Sequence, residues 1–275
     1  MTSFQILHNN DKTIHAVEWA VDEAKAVIVL VHGLGEHCRR YDHVAAFFNN
    51  NQIAMLGHDH SGHGKTPGKR GHAQSMEDLM AGVSTMLQEA KKRYPGKPVF
   101  LYGHSMGGNI SLNFILRKKP EITGAIISGP HIRMVTEPSP LLVLMGRLVQ
   151  KIYPSGTQSN GLDVQMVSRD PEVIQQYIDD PLVHDRISYS LAVAVLDGAK
   201  YLNNYKGSAQ VPILLMHGGA DVITSPAASK DFASRISSDI THKEWSGFYH
   251  EIHNEKEQEK VFTFTLDWIT ERLRL

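Results

Sequence analysis

Several features are scarce in this sequence, and each scarcity excludes a class of protein. Among the 275 residues there is one cysteine, Cys38, so neither an intrachain disulfide nor a cysteine-based zinc site can form. Lys and Arg number 28 against 29 Asp and Glu, which leaves no positive excess to bind nucleic acid. The N-terminus lacks a signal-peptide pattern, and no apolar run approaches the roughly 18 residues of a spanning helix. We therefore expect a soluble, cytoplasmic protein that binds no nucleic acid.

Glycine and proline divide the chain into strand-like and helix-like segments that alternate. The segment AVIVLV at 26–31 is apolar throughout, which is typical of a strand buried on both faces. The predicted strands are 12–21, 26–31, 53–59, 98–102, 124–128, 211–216 and 239–245. The predicted helices are 41–50, 75–94, 107–119, 227–236 and 255–273. This alternation predicts an α/β fold with a mostly parallel central sheet flanked by helices.

The alternation is interrupted in the middle of the chain. Between 131 and 205, five prolines separate short helical patterns, and no strand-like run occurs. We expect 131–205 to be an inserted helical cap on a discontinuous core formed by 1–130 and 206–275. Within the cap, 141–149 is almost wholly apolar. That segment indicates a lining for an acyl chain, a lipid-touching surface, or a face packed against the core.

A G-x-S-x-G motif at 103–107 lies between a predicted strand and a predicted helix. The two glycines permit a sharp strand-to-helix turn that holds the serine in strained geometry with its hydroxyl above the sheet. Ser105 then lies at a helix N-terminus, where the backbone N–H of Met106 can stabilise an oxyanion. We expect Ser105 to be a nucleophile. The alternative is a glycine-rich loop that binds a ligand.

A serine nucleophile needs a histidine base and a carboxylate that orients the imidazole. In this topology the acid and then the base follow the serine, each on a loop after a later strand. Asp221 and His250 satisfy that order and position. His253 competes with His250, although we expect it to begin the last helix, and Asp231 is a weaker rival of Asp221 within a helical pattern. We therefore predict a triad of Ser105, Asp221 and His250.

The second oxyanion donor is expected in the loop that follows the buried strand, His32-Gly33-Leu34-Gly35. We favour the backbone N–H of Leu34, because the glycines on either side allow the tight turn that points an N–H inward. The N–H groups of Gly35 and Glu36 are the alternatives.

The run HDHSGHG at 58–64 contains side chains that could bind a metal. They are His58, Asp59, His60 and His63. The run is a glycine-punctuated loop beside the predicted site, so we expect these side chains to bond backbone groups and brace the oxyanion loop instead. Cys38 is either reachable by thiol reagents or a buried, inert thiol. We expect no metal and no organic cofactor.

Six motifs spread over nearly the full length of the chain carry a resemblance to a known family. They are HGLGEHCRRY at 32–41, HDHSGHGKT at 58–66, YPGKPVFLYGHSMGG at 94–108, DPLVH at 180–184, GGADVIT at 218–224 and YHEIHNE at 249–255. On these motifs the chain resembles the α/β-hydrolase superfamily and, within it, the monoacylglycerol lipase family. That family is related to the serine aminopeptidase S33 group and to lysophospholipases. In the cap, only DPLVH and the SRDPEV region at 168–173 match.

The resemblance implies an α/β-hydrolase fold with a mobile cap over an acyl-chain tunnel. It implies the triad of Ser105, Asp221 and His250, with oxyanion N–H groups at Leu34 and Met106. The implied reaction is hydrolysis of a monoacylglycerol to a fatty acid and glycerol, with peripheral membrane contact through the cap. A lysophospholipase or broad-specificity carboxylesterase is the nearer alternative. A non-catalytic lipid-binding protein of the same fold is the more distant one.

Overall fold

A central eight-stranded sheet organises the protein, whose computed structural model describes residues 1–8 and 12–274. The strands are β1 (Thr2–His8), β2 (Lys12–Trp19), β3 (Ala26–Val31), β4 (Ile53–His58), β5 (Val99–His104), β6 (Gly124–Ser128), β7 (Thr157–Ser159), β8 (Arg186–Ser188), β9 (Ile213–Gly218) and β10 (Ile240–Trp245). Their order in the sheet is β1-β2-β4-β3-β5-β6-β9-β10. Within this sheet, β4, β3, β5, β6, β9 and β10 pair in parallel, whereas β2 is antiparallel to both its neighbours. The predicted mostly parallel sheet is confirmed.

Helices cover both faces of the sheet. They are α1 (Asp42–Asn49), α2 (Met76–Arg93), α3 (Met106–Lys118), α4 (Pro140–Ile152), α5 (Pro171–Asp179), α6 (Tyr189–Asn204), α7 (Pro226–Arg235) and α8 (Gln258–Arg272). Successive residues of β3 enter different cores: Val27 and Val29 pack with α2 and α3, and Ile28 and Leu30 pack with α1 and α8. Each buried aliphatic side chain stabilises the fold by about 1.5–3 kcal/mol. Burial on both faces therefore explains why AVIVLV contains no polar residue.

Local signals place the core elements within a few residues of their predicted bounds. The N-terminus of α2 illustrates the reason, because the Ser75 hydroxyl accepts the backbone N–H of Asp78 at 3.2 Å. One element has no counterpart among the predictions. β1 pairs antiparallel with β2 at the sheet edge, where its residues are largely exposed and leave only a weak apolar alternation.

The cap differs from its prediction in one respect. We expected no strand in it, but β7 and β8 form a small antiparallel pair. Three residues each are too few to leave a readable period of two in the sequence. The chain leaves the large sheet after β6 and returns at β9, so the predicted cap at 131–205 falls in this interval. Its exact bounds stay a prediction.

The helices of the cap are packed very unequally. α6 contributes Leu191, Val195 and Leu202 to the core that also contains residues of α2 and α3. α4 contacts α6, yet none of its residues is buried. In the described part of the chain, no helix combines the length and apolar character needed to span a membrane.

Candidate active site

Ser105 lies on the turn between β5 and α3, as the G-x-S-x-G motif predicts. Its backbone has φ 54° and ψ −117°, a strained conformation for a residue with a side chain. The two flanking positions must be glycine because a side chain would collide with neighbouring backbone atoms. A Cβ at Gly103 would lie 2.6 Å from the carbonyl oxygen of Gly107, and a Cβ at Gly107 would lie 2.0 Å from that of Val31. The turn is therefore sharp enough to put the hydroxyl at the edge of the sheet.

Three side chains from distant segments are joined by hydrogen bonds. His250 Nε2 lies 2.8 Å from Ser105 Oγ, and His250 Nδ1 lies 2.7 Å from Asp221 Oδ2. The three residues follow β5, β9 and β10, whose carboxyl ends meet at one edge of the parallel sheet. With Nδ1–H donating to Asp221, Nε2 is free to accept the hydroxyl proton of Ser105. This is the arrangement that a nucleophile, a base and an orienting acid require.

The carboxylate of Asp221 is buried and fully hydrogen-bonded. Its Oδ1 accepts the backbone N–H groups of Ile223 at 2.8 Å and Thr224 at 3.1 Å. Its Oδ2 accepts Nε2–H of His217 at 3.0 Å and the hydroxyl of Thr224 at 2.9 Å, besides His250. Burial raises the pKa of Asp221, but His250 and these donors outweigh it and hold the pKa well below its usual range. The motifs did not reveal the parts played by Thr224 and His217.

The imidazole of His250 is buried beside that carboxylate. Burial lowers the pKa of His250, but the charge of Asp221 and its hydrogen bond outweigh burial, so the pKa is raised above 6.5. The ring of His104 packs against His250 with 4.8 Å between ring centres. Burial lowers the pKa of His104 well below 6.5, so this neighbour stays neutral. His104 therefore packs against His250 without adding charge.

The loop after β3 lies next to Ser105. A Cβ at Gly33 would be 3.4 Å from Ser105 Cβ, and the N–H of Gly33 donates to Glu36 Oε1 at 2.6 Å. Within the described residues, the backbone N–H groups of Leu34 and Met106 donate to no other atom. These two N–H groups are thus available to a ligand, and their role in an oxyanion site stays a prediction.

A buried ion network that the motifs did not reveal links the loop after β3 to the loop of His250. Arg40 Nη1 lies 2.8 Å from Glu36 Oε2 and 2.7 Å from Glu251 Oε1, and Nη2 lies 2.7 Å from Glu251 Oε2. Burial raises the pKa of Glu36. Burial also tends to raise the pKa of Glu251, but the charge and hydrogen bonds of Arg40 outweigh burial, so the pKa of Glu251 is lowered. Two features of the sequence could have pointed to this network: the position of Glu36 in the HGLGEH motif, and the position of Glu251 directly after His250.

Two side chains of the histidine-rich loop after β4, Asp59 and His60, brace the loop after β3 as predicted. The prediction is wrong for the other two: His63 Nδ1 bonds the carbonyl oxygen of Ser61 in its own loop, and His58 Nδ1 has no hydrogen-bond partner among the described residues. Asp59 Oδ1 accepts the N–H of Cys38 at 2.9 Å, and Oδ2 accepts the N–H of Lys65 at 2.8 Å. His60 Nε2 bonds the carbonyl oxygen of His32 at 3.1 Å, and the N–H of His60 donates to His32 Nε2 at 3.0 Å. Burial lowers the pKa of His60 to about 3, so the ring stays neutral. These hydrogen bonds join the two loops.

Cys38 and the potential metal ligands around it are buried. Ligand atoms of His15, Cys38 and Asp59 lie within 4.8 Å of one another. The Asp59 oxygens already accept backbone N–H groups, which a cation would have to displace. Burial raises the pKa of the Cys38 thiol well above its usual value. Cys38 is thus buried, as one of its two predicted alternatives requires.

The two rival residues lie away from the hydrogen-bonded triad. His253 stacks on Tyr41 with 4.6 Å between ring centres, and neither of its ring nitrogens has a partner among the described residues. It belongs to a short 3₁₀ turn, so the expectation that it begins the last helix is wrong. Asp231 lies on α7, largely exposed, 3.8 Å from Arg133. Neither residue is hydrogen-bonded to Ser105.

The comparison with protein families decides the classification. Residues 22–257 match the family model described as serine aminopeptidase, S33 (Hydrolase_4). The chain belongs to this family. The hydrolase is 33% identical over 258 residues to a monoacylglycerol lipase from Mycolicibacterium smegmatis, covering 93% of this chain and 92% of the relative. It is also 33% identical to a monoglyceride lipase from Rattus norvegicus, covering 84% and 77%.

Another relative is much longer than this hydrolase. The chain spans 26% of the length of an uncharacterized abhydrolase domain-containing protein from Dictyostelium discoideum, with 37% identity over 251 residues. Two solved structures match the present chain along nearly their whole length. The monoacylglycerol lipase of Paleococcus ferrophilus has a TM-score of 0.87 at 33% identity, covering 94% of this chain and 99% of that one. A soluble variant of monoglyceride lipase from Saccharomyces cerevisiae has a TM-score of 0.84 at 26% identity, covering 99% and 97%. The α/β-hydrolase fold and the assignment as a carboxylic ester hydrolase are confirmed.

Proposed function

We propose that this hydrolase cleaves monoacylglycerols to a fatty acid and glycerol through a covalent acyl-enzyme. The observation that carries the proposal is the hydrogen-bonded chain Ser105–His250–Asp221. It occurs in a protein that is similar over 93% of its length to a relative named monoacylglycerol lipase. The site residues are those that the motifs predict, and the chemistry needs no cofactor.

In the acylation step, Ser105 attacks the ester carbonyl while His250 Nε2 takes the hydroxyl proton. Asp221 keeps Nδ1–H of the imidazole pointing toward itself and stabilises the imidazolium that forms. The tetrahedral intermediate collapses when the carbon–oxygen bond to glycerol breaks, and His250 gives its proton to the leaving oxygen. Water then attacks the acyl-enzyme with the same base, which releases the fatty acid and restores Ser105.

We assign the oxyanion site to the backbone N–H groups of Met106 and Leu34. Met106 begins α3 directly after the nucleophile, so its N–H carries the partial positive charge of a helix N-terminus. We choose Leu34 over Gly35 and Glu36 because its neighbour Gly33 lies so close to Ser105 that an added Cβ would come within 3.4 Å of Ser105 Cβ. Loss of one such donor costs about 10² to 10³ in rate.

We assign to α4 a peripheral contact with the lipid phase that holds the substrate. Its apolar side chains are exposed to an unusual degree. They include Leu141 at 69%, Leu142 at 58%, Leu144 at 54%, Leu148 at 49% and Ile152 at 87%. Tyr153 follows the helix and lies under the ammonium group of Lys69 at 5.1 Å from the ring centre, a pairing suited to an interface between lipid and water.

A phospholipase activity is the second candidate. This chain is 31% identical over 249 residues to phospholipase YtpA from Bacillus subtilis, covering 89% of this chain and 95% of that protein. A lysophospholipid shares the acyl half of the reaction with a monoacylglycerol and differs in the leaving group.

The deciding experiment compares fatty-acid release from a 2-monoacylglycerol and from a lysophosphatidylcholine with the same acyl chain. The Ser105→Ala variant is the blank, and we expect it to lose about 10⁶ in kcat. Faster release from the glyceride supports the proposal, and faster release from the phospholipid reassigns the enzyme. If neither is cleaved and a serine-directed phosphonate leaves Ser105 unlabelled, the proposal is wrong and the lipid-binding alternative takes its place.

A further inference from the structure

Two motifs of the cap have no part in the chemistry described above. SRDPEV at 168–173 and DPLVH at 180–184 lie near the two ends of one segment that contains α5. We call residues 167–184 the cap brace. Its two ends bind the two loops between which Ser105 lies.

The first end of the cap brace is hydrogen-bonded along the loop that carries the base. The carbonyl oxygen of Val167 accepts the N–H of Glu251 at 2.8 Å. The hydroxyl of Ser168 donates to the carbonyl oxygen of Asn254 at 2.8 Å. These bonds hold the backbone on the C-terminal side of His250.

An ion pair holds the N-terminal side of the same loop. Arg169 Nε donates to Glu255 Oε2 at 2.8 Å, and Glu255 Oε1 accepts the N–H of Tyr249, the residue before the base, at 2.6 Å. The side chain of Glu255 has no solvent exposure. The guanidinium of Arg169 also bonds Glu257 and lies 4.8 Å from the ring centre of Phe248. Arg169 thus acts on the loop through a buried carboxylate.

The second end of the cap brace contacts the oxyanion loop. Asp180 Oδ2 lies 2.8 Å from His37 Nε2, and the N–H of His184 donates to the carbonyl oxygen of Gly35 at 2.8 Å. A Cβ at Gly35 would lie 2.4 Å from the carbonyl oxygen of His184, so only glycine permits this approach. One segment of the cap therefore holds both the base loop and the oxyanion loop.

We propose that the cap brace positions the catalytic loops, with Ser168 and Arg169 as positioning residues for His250. The imidazole must keep two hydrogen bonds of 2.7 Å and 2.8 Å at once. On the core side Asp221 holds it, and on the cap side the backbone around it is held at Tyr249, Glu251 and Asn254. A misplacement of about 1 Å costs on the order of 10²-fold in rate. The cap is thus part of the support of the active site, a role distinct from covering the substrate.

The test rests on the proposed function and compares Arg169→Gln with a matched arginine. Arg93 likewise bonds two carboxylates, Glu18 and Glu89, and lies over the ring of Phe4. We measure kcat and KM for a soluble ester, p-nitrophenyl butyrate, well below each variant's melting temperature. We expect R169Q to lower kcat about tenfold or more with KM within about twofold, R169K to restore part of the loss, and R93Q to keep wild-type kcat.

A second pair keeps the inference testable if R169Q fails to fold. Ser168→Ala removes only a hydroxyl, and Ser190→Ala removes a buried hydroxyl that donates to the Ala73 carbonyl oxygen at 2.6 Å, away from both catalytic loops. We expect S168A to lower kcat severalfold at unchanged KM, and S190A to leave kcat unchanged. The inference is overturned if S168A and folded R169Q match their controls. If the wild-type protein cleaves no ester and Ser105 takes up no phosphonate, the proposed function fails instead.

Discussion

The cap contains two regions that differ in how they are attached, α4 and the cap brace. The cap brace bonds core loops at both ends, through Arg169 and Ser168 at one end and Asp180 at the other. α4 has no buried residue and packs on α6, to which a single exposed ion pair, Arg147 with Asp197, also joins it. Exposed ion pairs contribute at most about 1 kcal/mol. We therefore expect that displacing α4 from its neighbours needs much less free energy than displacing the cap brace from the core loops.

Because the two regions are attached so differently, they suit two different tasks: contact with the lipid phase and support of the base. A segment that meets the lipid phase must present apolar side chains to solvent and tolerate displacement, which the exposed leucines of α4 allow. A segment that supports the base must stay fixed, since His250 makes hydrogen bonds to Asp221 and Ser105 simultaneously. In our proposal, the cap places these tasks on consecutive helices, α4 and α5. Substitutions can separate the two tasks by choosing the region and the substrate.

Among substitutions that keep the serine nucleophile, the largest effect is expected at Asp221, which makes the most hydrogen bonds in the site. Asp221→Asn keeps the shape but removes the charge that selects the tautomer of His250, so we expect kcat on a soluble ester to fall about 10⁴-fold. The matched control is Asp231→Asn, on the exposed face of α7. Rates measured with p-nitrophenyl butyrate on both variants check this. A D221N enzyme with more than a tenth of wild-type kcat contradicts the triad.

A smaller effect is expected from pH. Asp221 raises the pKa of His250 above 6.5, and the protonated imidazole cannot take the proton of Ser105. Activity is therefore lost as pH falls through the raised pKa, with about a tenfold loss in kcat/KM for each unit below it. The pH profile of kcat/KM on a soluble ester measures the midpoint.

That midpoint also sharpens the comparison within the cap. The midpoint of the pH profile depends on His250, whose loop the cap brace supports. Substitutions on α4 should therefore leave this midpoint unchanged. A midpoint below 6.5, or one that shifts when α4 is altered, contradicts the assignment.

Much of the core was predictable because its signals are local. An apolar hexapeptide such as AVIVLV has few positions available except a strand covered on both faces, and a serine between two glycines after a strand fixes the elbow. Asp221 and His250 followed from topology, since parallel strands bring their carboxyl ends to one edge. The order of strands and helices along the chain was therefore enough to predict which residues come together at the site.

The remaining features depend on contacts between distant residues that have no local pattern. Arg40 reaches Glu251 across 211 positions of sequence, and Arg169 reaches Glu255 across 86. A charged residue is ordinarily placed at the surface by sequence reasoning, whereas these carboxylates are buried because an arginine neutralises them. β1 was missed for a different reason, since an exposed edge strand needs little apolar alternation.

The smallest effect on the chemistry is expected from α4. In the triple variant Leu141→Ser, Leu144→Ser and Leu148→Ser, we expect kcat/KM on p-nitrophenyl butyrate to stay within about twofold, because these side chains support no catalytic loop. Each exposed leucine that enters a lipid phase contributes on the order of 1 kcal/mol. Hydrolysis of a monoacylglycerol carried in phosphatidylcholine vesicles should therefore fall about tenfold or more, with a matching loss of vesicle cosedimentation.

The control is Leu7→Ser, which removes a similarly exposed leucine from β1. Equal loss on both substrates would mean that α4 contributes to the acyl site itself. An unchanged vesicle rate would remove the lipid contact from α4. Loss on vesicles alone, with L7S unaffected, assigns α4 to the lipid surface and leaves the support of His250 to the cap brace.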